Sequence, residues 1–240
     1  MEIKILNTAS EVSDFVAERI LEYRIRNEHF TWGVPTGRTM DAIYYKLAQK
    51  AHKSSILFNN VKAFAVDEYI GLAESSGNSY KAYLKHHLYD PLSFRDGNTF
   101  IPNVSADDMD KEASHYEKLI VDSGGLDLLM LGVGLNGHIG LNEPGSSLDS
   151  RTRVVALTSS TMNSNKVLFR SEDIPKTGIT MGIGTMLESS ECFMVATGDS
   201  KADIVQKIIN GDVNSKVPAT AIKEHKNALF ILDKHAAKYI

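Results

Sequence analysis

The sequence predicts an α/β fold with one domain, a mainly parallel β-sheet and helices on both faces of that sheet. Stretches typical of strands alternate with stretches typical of helices along almost all of the 240 residues, which is the pattern of a parallel sheet. Several strand-like stretches, such as residues 128–131, are unbroken apolar runs, as expected when helices cover both faces. No linker rich in Pro, Gly or Ser divides the chain, so we expect one domain over residues 1–240.

The predicted strands are short runs of apolar and β-branched residues, and the predicted helices carry apolar side chains at helical spacing. We expect strands at residues 3–6, 30–34, 61–66, 99–101, 128–131, 154–157, 179–182, 192–197 and 229–232. Thr8 and Glu11 form a capping box at the start of the first helix, and Ser105 is expected to cap the helix that carries Tyr116. Further helices are expected after the turn at residues 35–37, and at residues 79–88, 160–169 and 204–209.

Composition and charge restrict the function. The formal net charge is -4 and no cluster of Lys and Arg forms a patch, which argues against nucleic acid as a partner. The single cysteine, Cys192, excludes an internal disulfide and indicates a reducing compartment. The sequence shows no secretory signal and no apolar run of membrane-spanning length. We therefore expect a cytoplasmic protein that acts on a small molecule, with no nucleic acid or membrane as a partner.

The most informative segment is a glycine-rich loop, residues 132–144, directly after the predicted strand 128–131. Its glycines allow sharp turns, and its polar side chains are one imidazole, one carboxylate and two carboxamides, from His138, Glu143, Asn136 and Asn142. Open α/β sheets bind ligands at the carboxyl ends of their strands, and a His with a Glu is suited to acid–base catalysis there. The alternative is a glycine turn whose His side chain only satisfies nearby backbone groups.

The same loop contains the spacing G-x-G-x-x-G of dinucleotide-binding proteins, at Gly132, Gly134 and Gly137. That function requires a helix to begin at the third glycine. Gly140 and Pro144 oppose a helix at this place. A nicotinamide-dependent enzyme is therefore an alternative that the loop does not favour.

Three further polar segments lie at predicted strand ends, and each, taken alone, can also be an ordinary turn or a solvated strand end. Residues 33–39 lead into a helix, whose N-terminal amides and nearby hydroxyl groups suit a phosphate. Asp67 and Glu68 follow strand 61–66; if the strand continues, their carboxylates point to opposite sides, so that one can enter a cleft and act as a base. Lys201, between a strand and a helix, can bind a phosphate or simply face solvent.

Together these segments resemble the hexosamine-6-phosphate deaminase/isomerase family in order and in spacing, over nearly the whole chain. The matching motifs are Asn136-Gly137-His138, Asn142-Glu143-Pro144, Val66-Asp67-Glu68-Tyr69, Pro35-Thr36-Gly37 and Gly198-Asp199-Ser200-Lys201. The resemblance implies an enzyme that opens the ring of an amino-sugar 6-phosphate, isomerises the aldose to a ketose and releases ammonia, without a metal or another cofactor. The related 6-phosphogluconolactonases share the sheet and a Gly-His turn but lack the Asn-Glu-Pro sequence.

The resemblance also implies the catalytic roles. His138 is expected to be the base and acid of ring opening, with Glu143 orienting its imidazole and Asn136 in the same relay. Many family members carry Asp where this chain has Asn136, and since an amide cannot take up a proton, the transfer is left to His138 and Glu143. Asp67 is expected to move a proton from C2 to C1 of the sugar.

The phosphate ligands that the resemblance implies are Thr36, Gly37, Thr39 and Lys201. Glucosamine-type members have an Arg in a lid stretch Ala-Asn-Ser-Arg, where this chain reads Ser164-Asn165-Lys166-Val167. We expect Lys166 or Arg38 to supply the missing positive charge. Lys166 would do so as a point charge, without the two-pronged hydrogen bonding of an arginine.

Resemblance alone favours galactosamine-6-phosphate over glucosamine-6-phosphate as the substrate, through residues 124–127, 140–145 and 178–180 and the missing lid arginine. Two other functions stay open: a 6-phosphogluconolactonase-like hydrolase, which needs no base at C2, and a non-catalytic sugar-phosphate sensor.

The chain ends soon after Asp233, without the longer tail of allosteric members, so we expect a form without that regulation. The sequence carries no prediction of the oligomeric state.

Overall fold

The computed structural model describes residues 1–73, 76–165, 169 and 174–240. Within these residues the strands are β1 (Glu2–Leu6), β2 (Thr31–Val34), β3 (Lys62–Ala65), β4 (Asp67–Ile70), β5 (Thr99–Phe100), β6 (Leu128–Gly132), β7 (Arg153–Ala156), β8 (Thr177–Thr180), β9 (Glu191–Ala196) and β10 (Ala228–Asp233). The α-helices are α1 (Ala9–Arg26), α2 (Arg38–Lys53), α3 (Tyr80–Leu84), α4 (Met109–Asp122), α5 (Ser159–Asn165), α6 (Ile183–Leu187) and α7 (Ala202–Asn210). A π-helical turn, Lys85–Tyr89, continues α3, and two 3₁₀ segments are Asp199–Lys201 and Pro218–Glu224.

Seven strands form one parallel sheet in the order β1-β10-β9-β6-β2-β3-β5. Side chains alternate along the central strand β6: Leu128 and Met130 join the core formed with α1 and α2, whereas Leu129 and Leu131 join the core formed with α4 and α7. Helices therefore cover both faces of a mainly parallel sheet, which confirms the predicted Rossmann-like α/β fold. None of the described helices is both long and apolar enough to span a membrane.

The strand order reverses its direction between β2 and β6. From β2 the chain moves outward through β3 to β5, and it later returns to β6 on the other side of β2 and continues outward through β9 to β10. The connections that follow β2 and β6 therefore separate and leave a crevice at the carboxyl ends of these strands. The segment 35–39 and the glycine-rich loop 132–144 are the two connections at this crevice.

A second sheet differs from the prediction. β4, β8 and β7 form a three-stranded antiparallel sheet, in which Thr180 pairs with Asp67 on one side and with Arg153 on the other. The strands predicted at residues 154–157 and 179–182 belong to this sheet. The sequence does not reveal it because β3 passes into β4 with only Val66 between them and without a turn residue.

The helix ends agree with the prediction at one place and not at another. The Thr8 side chain accepts the backbone N–H of Glu11 at 3.1 Å, as the capping box predicts. The prediction of Ser105 as a cap is wrong: α4 begins after Asp108, whose carboxylate accepts the N–H of Lys111 at 3.0 Å. Asp is as good an N-cap as Ser, and here it lies directly before the helix. The helix predicted at residues 160–169 is described only as α5, since residues 166–168 lie outside the described part.

Candidate active site

The glycine-rich loop holds three polar side chains in one hydrogen-bonded relay. The side-chain N–H of Asn136 donates to Oε2 of Glu143 at 2.8 Å. The Asn136 oxygen lies 2.7 Å from Nδ1 of His138 and accepts the backbone N–H of the same residue at 3.2 Å. Glu143 itself is 3.8 Å from Nδ1, so it orients the imidazole through Asn136. Three residues predicted to be catalytic therefore lie together.

This relay determines which nitrogen of the His138 imidazole carries the hydrogen. Because the amide N–H of Asn136 faces the carboxylate, its oxygen faces His138, and Nδ1 carries the hydrogen that this oxygen accepts. Nε2 is then the basic nitrogen. Burial lowers the pKa of His138 and the charge of Lys201 lowers it further, while the Glu143 carboxylate acts in the opposite direction. The imidazole is therefore neutral at neutral pH and ready to accept a proton.

Close backbone packing positions the ring. The imidazole of His138 lies against Gly134, where a Cβ would come within 2.1 to 2.4 Å of three ring atoms. The N–H of Gly134 also donates to the His138 carbonyl oxygen at 2.9 Å, which closes the loop. A residue larger than glycine would displace the ring from this place.

Asn142 ties the loop to the second sheet. It is fully buried, and its amide donates to the carbonyl oxygens of Ile139 and Met181 at 2.9 and 2.8 Å. Its oxygen accepts a hydrogen bond from Arg153 at 2.9 Å. These contacts fix the course of the chain between His138 and Glu143.

Two threonines that the sequence analysis missed complete the surroundings of the relay. The N–H of Thr158 donates to Oε1 of Glu143 at 3.3 Å, and the hydroxyl of Thr161 lies 3.3 Å from Nδ1 of His138. Both residues reach the loop because β7 and α5 lie beside it. No motif could have identified them, since their position depends on the second sheet.

The adjacent carboxylates of Asp67 and Glu68 point in different directions, as a continuing strand predicts. Glu68 turns to α3, where it accepts the N–H groups of Tyr80 and Lys81 at 2.9 and 2.8 Å, and it also accepts the N–H of Tyr69 at 2.8 Å. Asp67 is 5% exposed, and no described group is hydrogen-bonded to its carboxylate. Burial, and then the charge of Glu68, raises the pKa of Asp67 to about 8. A buried carboxyl group with this pKa is a candidate general base.

Backbone contacts bring Asp67 to the crevice. Val66, the residue before it, donates its N–H to the carbonyl oxygen of Val34 at the end of β2, at 3.0 Å. On the loop side, Gly140 packs against the side chain of Val66, where a Cβ would lie 2.8 Å from Cγ1. The predicted base therefore lies between the two connections that border the crevice.

The segment after β2 presents the N-terminus of α2 to the crevice. Gly37 is the N-cap residue, in the left-handed region at φ 115°, and no described side chain caps this end. The first N–H groups of a helix without such a cap are suited to bind an anion. Thr36, Arg38 and Thr39 belong to the same turn, as the predicted phosphate site requires.

A second cation approaches from the other side of the crevice. Nζ of Lys201 donates to the carbonyl oxygen of Val133 at 2.7 Å. Burial lowers the pKa of Lys201, and the nearby charge of Arg38 lowers it further. Arg38 is therefore near enough for its charge to act on Lys201. Lys166, the other predicted cation, lies outside the described residues, as does Val167.

Comparison with known proteins agrees with this site. The family described as glucosamine-6-phosphate isomerases/6-phosphogluconolactonase matches residues 6–231. This chain belongs to that family. The glucosamine-6-phosphate deaminase of Rhodopirellula baltica is 39% identical to it over 241 residues, which cover 100% of this chain and 96% of that protein. The protein of the same name from Clostridium perfringens (strain SM101) is 33% identical, with 100% of both chains covered.

Solved structures give the same result. A monomeric glucosamine-6-phosphate deaminase matches with a TM-score of 0.97 at 34% identity, over 100% of both chains. The 6-phosphogluconolactonase from Trypanosoma cruzi matches with a TM-score of 0.80 at 19% identity, over 100% of this chain and 96% of that one, which shows the common fold alone. The family predicted from the motifs is therefore confirmed, and the lactonases are distant members of it.

Proposed function

We propose that the chain is an amino-sugar-6-phosphate deaminase that forms a ketohexose 6-phosphate and ammonia. The observation that carries this proposal is the Asp67 carboxylate, a buried base without a hydrogen-bond partner among the described residues. It lies at the same crevice as the His138 relay and the N-terminus of α2, which no described side chain caps. An aldose–ketose isomerisation needs a base at C2, whereas hydrolysis of a lactone does not.

Ring opening is assigned to His138. Its Nε2 takes the proton of the anomeric hydroxyl and then, as imidazolium, gives a proton to the ring oxygen while the bond from C1 to that oxygen breaks. The Asn136 oxygen at 2.7 Å and the Glu143 carboxylate at 3.8 Å stabilise the imidazolium. The amide of Asn136 transmits orientation but takes up no proton.

Proton transfer between the carbons is assigned to Asp67. Its carboxylate removes the proton from C2 of the open-chain aldose and returns it to C1. One proton of the ammonium group passes to O1, so the aldehyde carbon becomes an alcohol carbon and C2 becomes an iminium carbon. Water then adds to C2 before ammonia leaves. The substrate's ammonium group, bound beside Asp67, favours the ionised form of a carboxylate whose pKa is about 8 in the free protein.

Phosphate binding is assigned to the turn at the start of α2 and to two cations. The proposed ligands are Thr36, Gly37, Arg38, Thr39 and Lys201, with Lys166 as a further candidate. Anchoring the phosphate at this end of the crevice holds C2 of the sugar in front of Asp67, and such orientation is a large part of catalysis. Arg38 supplies the charge that other members take from a lid arginine.

Two substrates are candidates, and they differ only at C4. Glucosamine-6-phosphate is supported by the names of the relatives from Rhodopirellula baltica and Clostridium perfringens. Galactosamine-6-phosphate is supported by the stretches 124–127, 140–145 and 178–180 of the sequence. A site that hydrogen-bonds the C4 hydroxyl can discriminate strongly between the two sugars.

The experiment that tests the proposal measures ammonia release from both sugars, with hydrolysis of 6-phosphogluconolactone measured in parallel. We expect ammonia from at least one sugar, a rate that is lower by about 10²-fold or more in Asp67→Asn, and a decrease of roughly 10- to 100-fold in Glu143→Gln. Asp212→Asn, at an exposed site, is the control. Lactone hydrolysis without ammonia would overturn the proposal, and binding without turnover would identify a sensor.

A further inference from the structure

The short helix α3 carries a tyrosine that the proposed reaction does not use. The hydroxyl of Tyr83 lies 3.1 Å from the carbonyl oxygen of Gly37 and is hydrogen-bonded to the carboxylate of Asp41. Gly37 is the N-cap residue of α2, and Asp41 lies in its first turn. One hydroxyl group thus contacts both sides of the turn that presents the proposed phosphate ligands.

The base of α3 is firmly anchored beside Asp67. Glu68, the next residue in the chain, accepts the N–H groups of Tyr80 and Lys81 at 2.9 and 2.8 Å. Ser79 caps the same end, since its hydroxyl accepts the N–H of Ala82 at 3.1 Å. The position of Tyr83 relative to Asp67 is therefore fixed by hydrogen bonds from backbone N–H groups of α3 to the side chains of Glu68 and Ser79.

A second tyrosine of α3 strengthens this link. The hydroxyl of Tyr80 donates to the hydroxyl of Tyr69 at 2.7 Å, and the side chain of Thr36 lies near the same Tyr80 hydroxyl. The two aromatic rings lie 4.4 Å apart between their centroids. The helix therefore contacts the segment after β2 through two tyrosines, at Thr36 and at Gly37.

The charge of Asp41 explains why the Tyr83 contact matters. A carboxylate in the first turn of a helix is attracted to the same N–H groups that bind an anion. Tyr83 holds the Asp41 carboxylate by a hydrogen bond, and this keeps it from those groups. Without the hydroxyl, Asp41 is free to turn to the N-terminus of α2 and to compete with a phosphate.

We infer that Tyr83 is a positioning residue for phosphate binding, which restrains both Gly37 and the competing carboxylate of Asp41. The inference rests on the proposed function, because it concerns the same phosphate site. It also explains how a chain with an acidic residue in this turn still presents a cationic site there. Tyr83 sets the place of the phosphate relative to Asp67 without touching the reacting carbons.

Tyr83→Phe tests this inference, since it removes only the hydroxyl. We expect KM for the amino-sugar phosphate and the Ki of inorganic phosphate to rise by the same factor, about 5- to 10-fold, with kcat changed less than about 3-fold. In the double variant Tyr83→Phe/Asp41→Asn we expect the Ki of phosphate to return to within about 2-fold of the starting value. A merely structural role of Tyr83 would not give this rescue.

Tyr45→Phe is the matched control. Tyr45 lies on the same helix α2, is 62% exposed and accepts a hydrogen bond from Gln49 at 2.9 Å. We expect its KM and Ki to be unchanged. If Tyr83→Phe is not recovered in folded form, Asp41→Asn alone replaces it, and the inference then predicts phosphate binding at least as tight as in the unsubstituted protein.

The outcomes separate this inference from the proposed function. Unchanged KM and Ki in Tyr83→Phe, a loss confined to kcat, or no rescue by Asp41→Asn would overturn the inference. Calorimetry with inorganic phosphate needs no turnover. A protein that releases no ammonia, but whose phosphate binding weakens in Tyr83→Phe and recovers in the double variant, would overturn the proposed function and support the inference.

Discussion

The hydroxyl of Thr180 accepts the backbone N–H of Leu141 at 3.1 Å. Thr180 also pairs with Asp67 across the antiparallel sheet. One residue therefore joins the strand that carries the proposed base to the loop that carries the His138 relay. No other described residue makes both contacts, so this threonine is a direct link between the two catalytic parts.

Thr180→Val keeps the shape of the side chain and removes the hydroxyl. We expect it to leave the buried N–H of Leu141 without a partner and to lower the free energy of unfolding by roughly 1 to 3 kcal/mol. The same change is expected to lower kcat/KM about 10-fold, because the loop moves relative to Asp67. Urea denaturation and ammonia-release kinetics measure the two effects. Thr177→Val, at the other end of β8, should change neither the free energy of unfolding nor kcat/KM. Equal losses in both variants would contradict the linking role of the Thr180 hydroxyl.

Gly134→Ala is expected to inactivate the protein through a single methyl group. The new Cβ would lie 2.1 to 2.4 Å from the His138 ring, so the imidazole must leave its place in the relay. We expect kcat to fall about 10²-fold or more, with the circular dichroism of the fold retained. Gly132→Ala in the same loop is the control, because its Cβ would meet only a methionine methyl at 3.6 Å. Similar activities of the two variants would show that the ring position is not critical.

Asp67→Asn is expected to stabilise the protein while it removes activity. The folded state raises the pKa of Asp67 to about 8, from about 3.9 in an unfolded chain. The stability that this group contributes is therefore complete below about pH 4 and is lost as the pH rises toward 8. We expect the variant to be roughly 1 to 3 kcal/mol more stable at pH 8, with a difference that shrinks toward pH 4.

Urea denaturation of Asp67→Asn at several pH values measures this difference. Asp212→Asn, at an exposed site, is the control and should show no such trend. A difference that does not vary with pH would mean that Asp67 ionises with an ordinary pKa in the folded protein.

Asn136→Asp tests how the relay works. The new carboxylate would lie beside Nδ1–H of His138 and raise the pKa of the imidazole. It would also lie beside Glu143, where two close carboxyl groups share a proton. We expect activity within about 10-fold of the starting value. The acidic limb of the pH–activity profile should shift to higher pH. Asn136→Ala, which breaks the relay, should lose about 10²-fold in kcat. An unchanged pH profile in Asn136→Asp would contradict a tautomer set by Asn136.

The parts of the fold that depend on residues close together in the sequence could be predicted. Apolar runs and their spacing predicted the strands of the parallel sheet. Polar residues at strand ends pointed to Asp67, His138 and Glu143 as candidates, and the structure brings these three to one crevice. The antiparallel sheet was not predictable, because the passage from β3 to β4 at Val66 carries no turn signal. The contacts of Thr180, Arg153 and Tyr83 depend on that sheet and on α3, so the sequence did not reveal them. The division into one domain stays a prediction.

The two positive charges of Arg38 and Lys201 make the stability of the folded protein depend on the anions in the solution. Burial lowers the pKa of Lys201, and the nearby charge of Arg38 lowers it further; a bound anion offsets the effect of Arg38. A ligand that binds only the folded state raises its free energy of unfolding by RT ln(1 + [L]/Kd), so phosphate or sulfate in the buffer should raise the melting temperature. The same ions compete with the sugar phosphate for the crevice. In a solution that contains phosphate, the substrate must therefore displace an anion as well as water from the crevice.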